Sequence, residues 1–281
     1  MISILIVNHN GGDVLPRCLR QLATQKEDFH DIVLAENAST DDSVGQAERL
    51  ADELELSPFT VLRLGGNLGF GTANNRAMEA ARGDHLLLLN SDAWPQSDCL
   101  RYLAAALDDD PRLALAAPRL VYDDGTPQFH WAPTTSVFGE ALQKLRNRFE
   151  SRSWVHALRF PGKGWYSAAC ILLRRHAFES IGGFDEEFFL YFEDVDLSLR
   201  LRQAGWDLRT VPNARSVHLK GGSQGDVTDP SGSLEYRRGQ LRYYEKHRPS
   251  WEIQYLRRRL RSKFQRIDDP DRRSEFLALL R

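Results

Sequence analysis

The chain has 281 residues, 42% hydrophobic and 27% charged, with a formal net charge of −2. That length supports one large domain, or one domain with an appendage, and the near-neutral balance excludes a chain that binds a polyanion over its whole surface. The charge is uneven, since residues 237–266 hold eleven Lys/Arg against two Glu, which predicts a basic C-terminal part on an acidic body.

In chain order, ISILIV (2–7) is a continuous apolar run, the pattern of a strand buried on both faces. GGD follows, then a helix with apolar positions at Val14, Leu15, Cys18, Leu19 and Leu22. The pattern predicts a strand and turn over DIVLAENAS (31–39), a polar helix over 41–55 and a third strand over TVLRL (60–64). The Gly-rich GGNLGFG leads into a helix over TANNRAMEAARG (72–83), closed by Gly83. DHLLLL is a fourth strand, and SDCLRYLAAALDDDP is a helix stopped by Pro111. This βαβα order predicts an α/β fold, a mostly parallel central sheet with helices on both faces. After residue 120 the pattern loosens. YSAACILLRR (166–175) reads as a strand, RHAFESIGG as a short helix, YFEDVDLSLRLRQAG as a helix ending at Gly205, and DLRTVPNARSVHL as extended chain. From 232 onward the chain reads as basic helices.

Cys18, Cys99 and Cys170 stand far apart without CxxC spacing, so neither a zinc site nor a disulfide framework is indicated and a reducing cytoplasm fits. No apolar run reaches the roughly 18 residues of a membrane span. MISILIVNHN lacks a basic n-region and reads as a first strand, not a signal peptide.

The stretch LLLLNSDAW (86–94) runs four leucines directly into Asn90, Ser91 and Asp92. In open α/β sheets ligands bind outside the carboxyl ends of the strands. Asp92 therefore either holds a ligand there or caps the next turn. EDVD (193–196) sets three carboxylates between FFLYF and a leucine-rich helix. Acidic residues favour a helix N-terminus, yet a carboxylate among aromatics loses solvation, and its pKa rises toward the range of a general base. His218 ends another extended segment, and an Asp and a His at separate strand ends can share one metal ion.

Six stretches carry a resemblance in register: SILIVNHNGGDVLPRCL, IVLAENASTDDS, GGNLGFGTANNRA, DHLLLLNSDAW, GGFDEEFFLYFEDVDLSLRLRQAGW and VPNARSVHLKGGS. Across residues 2–223 the chain resembles the family 2 glycosyltransferases, in particular their rhamnosyltransferase-like branch with the GT-A (nucleotide-diphospho-sugar transferase) fold. The resemblance implies an inverting transfer of a sugar, rhamnose in much of that branch, from a dTDP- or UDP-sugar to a hydroxyl of a glycan or lipid-linked glycan. NSD occupies the family's DXD position, with Asn90 in place of its first Asp. That implies Asp92 and His218 as ligands of Mg²⁺ or Mn²⁺ on the donor diphosphate. It implies Asp194 as the catalytic base, and Asn8, Glu36, Asn67, Arg76, Asn90, Ser91 and Asp92 around the donor; Glu193 beside the base either touches the acceptor or caps the helix. The chemistry suits these types: a leaving diphosphate needs its charge neutralised, and the attacking hydroxyl needs a base. Residues 1–120 would form the nucleotide-sugar half, 121–231 the acceptor and catalytic half, and 232–281 a basic helical appendage.

Other classes fit less well. A dinucleotide-binding oxidoreductase needs GxGxxG after a strand, but GFGTAN gives GxGxxN after the third strand. A sugar-phosphate nucleotidyltransferase needs a Gly- and Arg-rich loop ending in Pro-Lys, which VNHNGGDVLPRC is not. A non-catalytic nucleotide-sugar-binding or partner subunit would lose its carboxylates, whereas Asp92, Asp194 and His218 all remain. Acceptor specificity is expected in 125–170, where PQFHWAPTT and FPGKGWYSAAC suggest loops and Trp131 and Trp165 could stack on a sugar or serve the core. In the tail, Ile253, Leu256, Leu260 and Phe264 form a stripe at helical spacing among arginines. Such a helix suits the inner face of an anionic membrane, and equally packing on the body or on another copy in a homo-oligomer. Tyr243, Tyr244, Trp251 and Tyr255 interleave with basic residues, but nothing else in the sequence points to nucleic acid.

Overall fold

The computed structural model describes residues 1–149, 164–219 and 232–281. Among these, one mixed eight-stranded sheet runs β3-β2-β1-β4-β9-β6-β10-β5. Its first four strands are β1 (Ile2–Asn8), β2 (Asp31–Glu36), β3 (Phe59–Arg63) and β4 (His85–Asn90), all mutually parallel. β5 (Ala93–Pro95) pairs antiparallel with the end of β10 (Asp207–His218), and β9 (Cys170–Arg174) runs antiparallel between β4 and β6 (Leu113–Val121). A separate ribbon joins β7 (Trp131–Ala132) to β8 (Trp165–Tyr166).

The apolar runs become central strands because both faces of the sheet are covered. Leu87 and Leu89 of β4 face a core shared with α1 (Val14–Ala23), α2 (Ser43–Glu53) and α4 (Cys99–Asp108). Leu86 and Leu88 face the opposite core. That second core includes α3 (Phe70–Ala80), α6 (Arg175–Ser180) and α7 (Glu193–Gln203). Each of these leucines contributes about 1.5–3 kcal/mol relative to exposure, so β4 is a rigid support for whatever follows it.

Two expectations need correction, and two elements, β6 and α5 (Val137–Asn147), have no counterpart among the predicted ones. α3 ends at Ala80, before Gly83, and a Cβ on Gly83 would lie 2.6 Å from Ser3 N: the glycine admits β1, not a helix cap. The stretch 166–175 is not one strand. Tyr166 ends β8, a turn follows, β9 begins at Cys170, and Arg175 already opens α6. β6 carries few β-branched residues and gives little local strand signal. The helix α5 lies between the two expected loops of 125–170, capped by Ser136 and by Glu252, whose Oε2 accepts Val137 N–H at 3.0 Å. Residues 160–163 of the second expected loop, and 220–223 at the end of the sixth matching stretch, lie outside the described residues.

The C-terminal part forms α8 (Leu234–His247), α9 (Ser250–Phe264) and α10 (Pro270–Ala278). Leu256, Leu260 and Phe264 are buried in one cluster with Phe188, Phe192 and Val195, and Ile253 is packed against it. The stripe therefore faces the body, not a membrane. A buried charge network reinforces this contact. Asp196 of α7, fully buried, accepts from Arg200 (2.6 Å), Lys246 (2.8 Å) and His247 (2.6 Å). Burial acts to raise its pKa. The His247 hydrogen bond, the Arg200 charge and the bonds from Lys246 and Arg200 outweigh that and hold it at about 2.

Candidate active site

Strand register brings polar residues to one edge of the sheet. Asn8 pairs with Glu36 across β1 and β2, and Val7 pairs with Asn90 across β1 and β4. The next strand, β5, pairs Ala93 with His218 of β10. This sets Asp92, one residue earlier, beside the His218 ring: Asp92 Oδ1 and His218 Nε2 are 3.5 Å apart. Leu219 N–H donates to Asp92 O at 3.0 Å and fixes the crossing. Both side chains are largely buried. On the far side of the ring, His218 Nδ1 lies 2.8 Å from Gln128 Oε1.

A carboxylate and an imidazole nitrogen are hard-to-borderline ligands that suit Mg²⁺, Mn²⁺ or Zn²⁺. Two ligands about 2.1 Å from an octahedral ion stand about 3 Å apart, so the observed spacing fits a shared cation. Among the described residues no cluster of three or more His, Cys, Asp or Glu could hold a metal. A cation here would complete its shell from water or from a ligand's phosphate oxygens.

The second carboxylate centre sits at the start of α7. Tyr191 and Phe192 enter it with φ of 68° and 71°, a left-handed turn that bulky residues rarely adopt and that is characteristic of functional sites. The turn is held from outside by α8, where Gly239 lies so close that a Cβ would stand 2.5 Å from Tyr191 O. Asp194 follows. Its Oδ1 accepts Val195 N–H at 2.8 Å, and its carboxylate also accepts the Ala168 N–H. Burial raises its pKa to about 6, against the lowering effect of those bonds. Glu193 is buried beside it, and its Oε2 has no hydrogen-bond partner among the described residues. Burial, then the Asp194 charge, pushes its pKa well above the carboxylate range. The turn before β9 joins the two centres: Ala168 N–H binds Asp194, and the carbonyl of Ala169 accepts Asn90 N–H at 2.9 Å.

The remaining residues singled out in the sequence fall into two groups. Asn90, Ser91 and Glu36 lie at the strand edge, Ser91 buried and the other two partly buried. Glu36 is committed to the loop, since its Oε1 accepts Ser39 N–H. Asn67 shapes the glycine loop, its Oδ1 accepting from Gly69 N (3.1 Å) and Asn37 Nδ2 (2.9 Å). Three of the expected residues make structural contacts of their own. Asn8 is fully buried and donates to Ser39 and Ser43 hydroxyls at 3.1 and 2.9 Å, so it positions the β2–α2 connection. Arg76 forms a two-armed pair with Glu186 at 3.1 and 3.3 Å, tying α3 to the segment before α7. Trp165 packs against the cluster that holds the C-terminal helices. The sequence reading missed Asn37, which binds Leu68 N at 2.7 Å as well as Asn67. It also missed Gln128 and the backbone of Ala168. The asparagine after a strand-end carboxylate was a usable signal; an isolated glutamine and a backbone N–H give none.

The site can be set beside known proteins. The model of "Glycosyl transferase family 2" matches residues 3–182. An N-acetylglucosaminyl-diphospho-decaprenol L-rhamnosyltransferase of Mycobacterium tuberculosis is 31% identical over 253 residues, covering 83% of this chain and 80% of its own. Rhamnosyltransferase WbbL of Escherichia coli is 26% identical over 231 residues, covering 78% and 83%. Among solved structures, mannosyltransferase PcManGT of Pyrobaculum calidifontis, in complex with GDP-Man and Mn²⁺, superposes with a TM-score of 0.64 at 16% identity, over 99% of this chain and 73% of its own. TarS of S. aureus in complex with UDP-GlcNAc gives 0.58 at 17%, over 99% and 79%. These two likenesses establish the GT-A glycosyltransferase fold. With the matched family model and the 31% identical relative, the chain belongs to glycosyl transferase family 2.

Proposed function

We propose that this glycosyltransferase moves rhamnose from a pyrimidine nucleotide-diphosphate donor to a hydroxyl of a lipid-diphosphate-linked sugar, with inversion, in the assembly of an envelope polysaccharide. The sugar is that named for the rhamnosyltransferases of M. tuberculosis and E. coli to which the chain is similar, the lipid-diphosphate acceptor is that named for the M. tuberculosis protein, and the pyrimidine donor is what the resemblance to the rhamnosyltransferase-like branch implies. The observation that carries the reaction is the single turn bonded to both Asn90 and Asp194. It couples the strand edge, where a diphosphate would lie, to one partly buried carboxylate with a raised pKa.

Asp92 and His218 would hold a divalent ion. When bound, it neutralises the leaving diphosphate as a Lewis acid, an effect of several kcal/mol. Asn90, Ser91 and Glu36 border the donor, with Asn67 and Asn37 fixing the glycine loop beside it. Asp194 accepts the proton of the attacking hydroxyl, which displaces the nucleoside diphosphate directly, so no second carboxylate is needed as nucleophile and the anomeric centre inverts. Glu193, its pKa raised by burial and then by the Asp194 charge, borders the acceptor side. In this reading residues 1–120 bind the donor, 121–231 supply the acceptor site and the base, and 232–281 brace the start of α7.

Among the described residues no helix is long and apolar enough to cross a membrane. A lipid-linked acceptor would bring the protein to a membrane surface. Support for such contact is the outer face of α9, which exposes Trp251 and Tyr255 near arginines, and α5, which exposes Phe138 (76%) and Leu145 (55%) and is bonded to α9 through Glu252. Flotation with anionic vesicles tests it: Trp251→Ser combined with Phe138→Ser reduces the bound fraction, and unchanged flotation refutes this surface.

The transfer itself is tested by mass spectrometry with dTDP-rhamnose, UDP-glucose and GDP-mannose against a prenyl-diphosphate-linked N-acetylglucosamine. A deoxyhexose added only from dTDP-rhamnose supports the reading. Transfer of hexose alone overturns the sugar assignment.

A further inference from the structure

Gln128 makes two contacts to one residue. Its Oε1 lies 2.8 Å from His218 Nδ1, and its Nε2 donates to the His218 carbonyl at 3.3 Å. Together these fix the amide's orientation, because the reverse would set two carbonyl oxygens against each other. An amide oxygen only accepts, so Nδ1 must carry a hydrogen. In the neutral ring the lone pair is then on Nε2, the atom that faces Asp92 Oδ1 at 3.5 Å.

The fold commits considerable structure to this placement. Gln128 is 3% exposed. It is returned to the sheet by a tight turn after β6, with Gly125 at φ +83°, Gly125 N–H on Tyr122 O and Tyr122 N–H on Thr126 O. Its own N–H donates to Leu120 O at 2.9 Å. β6 and β10 pair in parallel, so the turn closes directly over the end of β10. Two acceptors facing each other, as Asp92 Oδ1 and a neutral Nε2 do, repel unless a cation or proton lies between them.

From this geometry we infer that Gln128 is a positioning residue for the donor's metal, setting the His218 tautomer so that Nε2 is the ligand. It acts through His218. The inference rests on the metal reading of Asp92 and His218 given above. A buried amide in this role is the neutral counterpart of the carboxylate or backbone carbonyl that orients most metal-bound histidines, partners whose loss costs roughly ten- to a hundred-fold in metal affinity.

The test has two readouts. In the metal-free protein, at a pH where the ring is neutral, ¹⁵N–¹H correlation spectra of His218 are expected to show the proton on Nδ1. In Gln128→Leu it moves wholly or partly to Nε2, while Gln128→Glu, which keeps an acceptor toward Nδ1, retains the wild-type tautomer. Calorimetry with Mn²⁺ in the presence of dTDP should show about a ten- to hundred-fold weaker ion affinity in Gln128→Leu, with Gln128→Glu much closer to wild type. A wild-type proton on Nε2 overturns the proposal. So does equal Mn²⁺ affinity in wild type and Gln128→Leu, which leaves the metal site itself standing. Absence of Mn²⁺ binding in the wild-type protein overturns the metal reading, and the proposal with it.

Discussion

Asp92 and His218 meet at 3.5 Å because Ala93 and His218 are paired across β5 and β10. Neither residue reaches the other through a flexible loop. One rides on the end of β4 through two further residues, the other ends the longest strand of the sheet. A cation held between them would sit on the rigid part of the molecule, where placement errors are small, beside the strand edge proposed to receive the donor's diphosphate.

Removing either partner should weaken nucleotide binding only when metal is present. Asp92→Ala and His218→Ala are each expected to lower dTDP affinity in Mn²⁺ while leaving the residual affinity in EDTA unchanged. Affinity in Mn²⁺ equal to that of the wild type would take the altered residue out of the metal site.

Asp194→Asn keeps the size and much of the hydrogen bonding of the side chain and removes its basicity. Turnover should fall by roughly 10²–10⁴-fold, with donor affinity and the melting temperature close to wild type. Near-normal turnover would move the base elsewhere, and Glu193→Gln is the comparison that would locate it.

The same residue sets a pH dependence. The base is active when deprotonated, and its pKa is raised to about 6, by burial against the Ala168 and Val195 hydrogen bonds. The turnover rate should therefore climb as pH rises through about 6 and level off above it. An acidic limb near 4, the ordinary value of a carboxylate, would show that Asp194 is solvated during turnover.

Asp196 acts on stability. Its folded pKa is lowered to about 2, so the stabilisation it supplies is complete above its unfolded value, near 4, and is lost as pH falls from there through about 2. Asp196→Ala also leaves Arg200 and Lys246 without their buried partner. The expected loss is about 3–5 kcal/mol, read by denaturant unfolding at neutral pH. A loss under about 1 kcal/mol, the scale of a surface ion pair, would mean that the network is solvated.

Some of this was legible in the sequence, and the physical reasons differ by residue. β4 and Asp92 were readable because a run of four leucines needs two covered faces and the polar residues after it mark the edge. Three carboxylates directly after FFLYF mark the start of α7 as a charged turn beside aromatics, but that pattern does not choose among Glu193, Asp194 and Asp196; the family resemblance does. The stripe of α9 was readable as an apolar face, but periodicity does not say what the face covers, and only the fold shows Leu256, Leu260 and Phe264 against Phe188 and Phe192. Arg76 and Asn8 have the chemistry of phosphate and nucleotide ligands. Their structural partners, Glu186 and Ser43, lie 110 and 35 residues away and leave no local trace. Gln128 meets His218 across 90 residues, through a turn whose closure depends on the sheet.

The most direct test of the site as a whole is a calorimetric titration of the wild-type chain with dTDP-, UDP- and GDP-sugars, first with Mn²⁺ and then with EDTA. The account predicts that a pyrimidine nucleotide-sugar binds in Mn²⁺ and that this binding is lost, or falls severalfold, in EDTA. Binding of the same strength in EDTA, or no binding of any pyrimidine donor, would contradict it.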